Sequence, residues 1–194
     1  MKRWLALAGV PLVLAGCTAS APRPQAGPSP LTSAEPSPAA SPASSTGRKA
    51  AIYAAAIRHL VLQDSSIGRS GHIHKVYVAD GPVAGAANPN LSQAEAVPRA
   101  RFSAAMKRAI AARLSRLPHL RFASKGMLAG IRKRGGRGGA ALVLVAPIRG
   151  SGARALVGVN LWISLSAGYW QTQVVEHTTH GWTVTGTTGP VAVS

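Results

Sequence analysis

The sequence predicts an α+β fold, with two helices packed on a mainly antiparallel sheet that ends in a four-stranded C-terminal meander. Three observations predict it. Apolar residues recur at helical spacing in two segments of the first two thirds. The last third alternates apolar and polar residues in runs separated by short Gly- and Ser-bearing turns, the pattern of consecutive hairpins. Helices first and strands last argue for helices segregated to one face of a sheet.

The elements follow in chain order. Residues 50–63 carry Ile52, Tyr53, Ala56, Ile57 and Leu60 on one helical face. Residues 72–79 (HIHKVYVA) read as a strand, broken by Asp80-Gly81-Pro82. A second helix is read over residues 96–117, where Phe102, Met106, Ile110 and Leu114 recur every four residues and Pro118 stops the run. Residues 120–123 suit a short strand. Residues 140–148 are a continuous apolar run bounded by glycines, hence a buried strand. Residues 153–165 place Val157, Val159, Leu161, Ile163 and Leu165 on one face, residues 169–177 form the next strand, and Trp182 to Thr185 alternate as the last.

The chain is 194 residues long and carries 22 Lys+Arg against 5 Asp+Glu, a formal charge of +17. Its single Cys excludes an internal disulfide framework and a Cys-based zinc site. Residues 49–194 hold 18 of the basic and 4 of the acidic side chains, so the excess charge belongs to the predicted domain itself.

The first residues, Met1-Lys2-Arg3-Trp4, form a short positive segment. An apolar stretch from Leu5 to Leu14 follows, and it is too short to span a hydrocarbon core, which needs about 20 residues. Charge, apolar run and small residues together read as a secretory signal. The run ends Leu14-Ala15-Gly16-Cys17, which resembles the lipobox of bacterial lipoproteins: an aliphatic residue, two small residues, then Cys. The resemblance covers residues 1–17. It implies that Cys17 is lipidated, that residues 1–16 are a cleaved signal peptide, and that the mature chain is held on the extracytoplasmic face of the cell membrane. The chain as a whole is similar to small exported lipoproteins of high-GC Gram-positive bacteria, judging from this motif and the Ala/Arg/Gly bias.

Residues 17–48 then form the lipidated Cys and a stalk. Pro, Ser, Ala and Thr dominate it, so it cannot bury enough apolar surface to offset its ordering entropy. Its prolines favour extended polyproline II. Residues 49–194 make up a single predicted domain.

Candidate sites are sparse. The segment 131–139 reads as a basic, Gly-rich loop carrying Arg132, Lys133, Arg134 and Arg137. The second helix adds Arg99, Arg101, Lys107, Arg108, Arg113 and Arg116, with no interleaved carboxylates to form the usual i,i+4 pairs. Together these ten residues are the expected binding surface for an anionic partner, a wall polymer or lipid headgroups. Export argues against nucleic acid, and no particular protein partner is indicated. His72 and His74 share a strand face, and His177 and His180 flank a turn, so a metal site requires all four to converge. No G-x-S-x-G, S-x-x-K or H-E-x-x-H motif is present, and Glu176 beside His177 points to the opposite strand face. No catalytic residue, metal ligand or cofactor is therefore assigned. The chain reads as a non-enzymatic binding module, with two alternatives: a small-ligand binder with a pocket between helices and sheet, and a His-dependent metalloenzyme. Trp162, Trp170 and Trp182 cluster in the meander, with Trp162 expected on its open face.

Overall fold

The computed structural model describes residues 42–64, 73–92, 95–134, 139–164 and 167–193. Cys17, the signal segment and most of the stalk lie outside the described residues, as do His72 and residues 135–138 with Arg137. The elements are α1 (Pro42–His59), a π-helical turn (Leu60–Asp64), β1 (Lys75–Ala79), α2 (Ala104–Arg113), β2 (Arg121–Ala123), α3 (Lys125–Arg134), β3 (Ala140–Val145), β4 (Arg154–Ser164), β5 (Ala167–Thr178) and β6 (Gly181–Val193).

The class is α+β, and the C-terminal meander is present as β3 to β6, each antiparallel to the next. The sheet is larger and more mixed than expected. It has six strands in the order β2-β1-β3-β4-β5-β6, and β1 runs parallel to both of its neighbours. Parallel neighbours need crossover connections, usually helical. Here α2 carries the chain from β1 to β2, and α3 carries it from β2 to β3.

The third helix corrects the reading of residues 131–139 as a loop. Arg132, Lys133 and Arg134 belong to the last turn of α3; their side chains lie outside the described residues. Gly126 and Gly130 weaken the intrinsic helix signal here. The apolar stripe is only two buried residues deep, Leu128 and Ile131, and those two bury α3 against the sheet.

The first helix also begins earlier than expected. α1 starts at Pro42, inside the segment read as stalk, and proline is favoured in a first helical turn because its missing N–H is not needed there. The second helix is shorter than the apolar pattern suggested. Ser103 caps it, its Oγ accepting from the Met106 amide at 3.1 Å, so Phe102 is buried from the preceding loop.

The sheet has two covered faces. On one, Val76, Val78, Ala141, Val143, Val145, Val157, Val159 and Leu161 pack beneath α1 and α2. Ala50, Ala54, Ala55 and Ala56 join Ile52 and Ile57 in the buried part of α1, which is apolar nearly all round because it meets the sheet and also α2. On the other face, Ala79, Leu142 and Leu144 pack against α3 and the loop holding Val83, Ala86 and Ala96. Alternation along β1 and β3 sends successive residues to these two cores.

Tyr53 lies in the first core, 4% exposed, edge-on to Phe102 at 5.2 Å. Burial pushes its phenol up from 10.0 to about 12, and a backbone hydrogen bond with Ile148 pulls partly the other way. A folded-state value above the unfolded one means that the stabilisation is fully present below pH 10 and is lost as pH rises toward 12. Wild-type protein is therefore expected to lose stability over this window in urea titrations. A Tyr53→Phe variant is expected to be weaker by about 1 kcal/mol at neutral pH and to show a smaller alkaline loss; equal alkaline losses in the two proteins would contradict the assignment.

Candidate functional site

Cations are concentrated in the stretch that runs from the approach to α2 through β2 to the start of α3. Arg99, Arg101, Arg108, Arg113, Arg116, Arg121 and Lys125 are all exposed, and no Asp or Glu interrupts the chain between Ala96 and Val175. Arg121 and Lys125 were not singled out from the sequence. They extend the same acid-free stretch onto β2, the sheet's outer strand, and the start of α3. At the other end of the sheet, β5 and β6 carry no Lys or Arg at all. The one cation on β4, Arg154, lies 3.6 Å from Glu176 on β5.

Two of the expected anion-binding residues have internal work. Lys107 is half-buried, and its Nζ donates to Asp80 Oδ2 at 3.1 Å. It also sits 5.9 Å from the centroid of the Phe122 ring. Arg101 reaches the same carboxylate oxygen at 3.7 Å with most of its side chain in solvent. Asp80 stands just past the C-terminal end of β1 and is 7% exposed. Its amide donates to the Ala123 carbonyl of β2, and its own carbonyl accepts from Phe102. The ion pair therefore ties the end of β1 to α2 from the inside, and Lys107 is a structural cation rather than a free one. Arg113 partly serves its own helix, with Nη1 donating to the Ala109 carbonyl at 2.9 Å. Arg58 of α1 donates to the Arg113 carbonyl.

Among the described residues no group of three or more His, Cys, Asp or Glu side chains is placed to hold an ion. His177 packs edge-on to Trp182 at 5.3 Å, while its neighbour Glu176 faces Arg154. Trp182 is half-buried under the Arg48 guanidinium, 4.9 Å from the ring centroid. Trp162 is on the face opposite α1, as its strand parity indicated, where it meets Trp170 edge-on at 6.2 Å and packs against the second core.

The face under α1 is packed. Two glutamines on β5 are fully buried there: Gln171 opposite Val159 and Gln173 opposite Val157. Tyr169 Oη donates to Gln171 Oε1 at 3.3 Å. Neither glutamine was noticed in the sequence, where both sit in ordinary alternation. A cavity of about 120 Å³ lies between α1 and the start of β6, lined by Arg58, His59, Gln63 and Trp182. Two larger hollows lie elsewhere among the described residues. One, of about 320 Å³, is lined by Arg149, Gly150, Arg154, Leu156 and Thr188. Another, of about 270 Å³, is lined by Ala84, Ala87, Pro147, Arg149, Gly158 and Thr172.

Among the described residues, no helix is long and apolar enough to cross a membrane. Comparison with known proteins gives no match: no family model, no curated protein and no solved structure matches the chain. The features that define its class are therefore its own fold and surface: a small α+β domain with a strongly basic, acid-free stretch from Arg99 to Lys125.

Proposed function

We propose that the chain is a lipid-anchored extracytoplasmic lipoprotein whose folded domain is a non-enzymatic binding module, docking through its basic stretch on a phosphate-bearing component of the cell envelope. One observation carries this reading: seven exposed cations between Arg99 and Lys125, without a single interleaved acid, set against two strands free of Lys and Arg at the opposite end of the sheet. A solvated surface with no partner normally intersperses both signs. One-signed clustering raises local potential and attracts anions. The lipobox-like Leu14-Ala15-Gly16-Cys17 supplies the membrane location. Two acyl chains hold a protein stably where one holds it reversibly.

The test separates the anchor from the surface. A Cys17→Ser chain is expected to lose incorporation of radiolabelled lipid entirely. The same unlipidated chain is expected to bind vesicles containing phosphatidylglycerol and to ignore pure phosphatidylcholine. Each cation near an anionic surface contributes about 1 kcal/mol. Replacing Arg108, Arg113 and Arg116 with Gln is therefore expected to weaken that binding on the order of a hundredfold. Raising salt from low to high should weaken the wild-type interaction steeply. Salt-indifferent retention, or equal binding to neutral vesicles, would overturn the reading.

A further inference from the structure

The two hollows adjoin at Arg149, and we take them together as one groove. Arg149 lines both. Leu156 and Gly158, two positions apart on one face of β4, floor one hollow each. Thr188 of β6 and Thr172 of β5, which are paired in the sheet, do the same on the neighbouring strands. The groove thus runs across β4, β5 and β6 on the face that α1 leaves open. Ligand sites of about 300–1,000 Å³ are typical, and the two hollows joined at Arg149 fall within that range.

Its walls are built for an apolar chain. Ala84, Ala86, Ala87, Ala146 and Pro147 line the inner half. Gly158 allows this close approach, because a Cβ there would meet the Ala87 and Ala146 methyls at 3.1 Å. On the same face, two positions further along β4, Asn160 is 2% exposed, and its Oδ1 has no hydrogen-bond partner. The charge lies in the middle of the groove. The Arg149 backbone exchanges both hydrogen bonds with Leu156, which fixes where its exposed side chain starts, at the junction of the two hollows. Arg149 has no ion pair among the described residues, whereas Arg154 at the outer end is engaged by Glu176. One free guanidinium beside an apolar trough matches one carboxylate on one hydrocarbon chain, since guanidinium and carboxylate pair in a planar fork.

We propose that this groove binds a long-chain fatty carboxylate, with its head on Arg149 and its chain over Gly158 and Thr172. The site is separate from the basic stretch, so its test is independent of the reading above. The probe is 11-(dansylamino)undecanoic acid, titrated against the unlipidated Cys17→Ser chain, with the methyl ester of the same probe as the neutral comparison. The acid is expected to bind saturably with blue-shifted emission, and about tenfold more tightly than the ester. Arg149→Gln should remove that tenfold advantage and leave the ester unchanged. Thr172→Phe should abolish binding of both by filling the floor; if that variant does not fold, the Arg149→Gln comparison decides alone. Arg108→Gln, in the basic stretch, should change nothing. The proposal is overturned if the acid shows no saturable binding, if acid and ester bind equally, or if Arg108→Gln weakens the acid as much as Arg149→Gln does.

Discussion

A Gly81→Ala chain is expected to be destabilised by about 3 kcal/mol or more, at the upper end of the overpacking range. The methyl would fall 1.8 Å from the carbonyl oxygen of Ala100 and 3.1 Å from the Arg101 Cα. Both are backbone atoms, so no side chain can swing aside. The backbone there cannot yield cheaply, because the next residue but one, Phe102, donates its amide to the Asp80 carbonyl at 2.7 Å and is itself buried. Gly126→Ala is the matched comparison. Nothing lies within 4 Å of a Cβ at that position in α3, so the change should stabilise by about 0.5–1 kcal/mol through helix propensity alone. Urea midpoints of the two variants should move in opposite directions from wild type. A Gly81→Ala midpoint within error of wild type would mean that the 100–102 segment does not clamp the end of β1.

Loss of the Lys107 charge should also destabilise the fold. Removing one partner of a fully buried ion pair costs about 3–5 kcal/mol, and solvent at the half-buried Lys107 reduces that. Lys107 is the close partner of Asp80, and Arg101, at 3.7 Å and largely in solvent, is a poor substitute. Lys107→Met, which keeps the apolar stem over Phe122, is therefore expected to lose about 1–2 kcal/mol. Adding Asp80→Asn to that variant should recover part of the loss, because the orphaned charge is then gone. A double-mutant cycle read from denaturation curves gives the coupling. A coupling near zero would show that the pair is an ordinary surface contact.

The sequence disclosed the elements whose pattern is local. The β3–β6 meander is legible because β3 is a continuous apolar run, the later strands alternate and the turns between them are short. The apolar stripe at Ile52, Tyr53, Ala56, Ile57 and Leu60 marks α1 for the same reason. What stayed hidden depends on distant partners. That β1 runs parallel to β2 and β3 is decided by where α2 and α3 return the chain, and nothing in Lys75–Ala79 records it. The glycines and charges of Lys125–Arg134 outweigh Leu128 and Ile131 as a signal until the sheet face they cover is known. In the basic stretch, sequence reasoning found the arginines of α2 but could not know that Lys107 turns inward to Asp80, or that Arg121 and Lys125 extend it onto the sheet's outer strand and the start of α3. The groove was invisible for a related reason. Gly158 meets Thr172 across a single hairpin, but Ala84, Ala87 and Thr188 are brought beside Arg149 and Gly158 only by the folded chain.

The two halves of the sheet also differ in how much chain must be gathered before a strand finds its neighbour. In β3 to β6 each pairing partner follows within a short connection, with Thr178 meeting Gly181 at the tightest. In the parallel half, Lys75 must meet Ala140 across two helices and a strand. Loop closure costs entropy before any contact rewards it. The meander is thus the part able to assemble first, with β1 added once α2 and α3 have formed. In pulsed hydrogen exchange during refolding, amides of β4 and β5 should become protected before those of Val76 and Val78, and simultaneous protection would refute this order. For a chain emerging N-terminus first, α1 and β1 must then wait, largely uncovered, for the strands that complete their core.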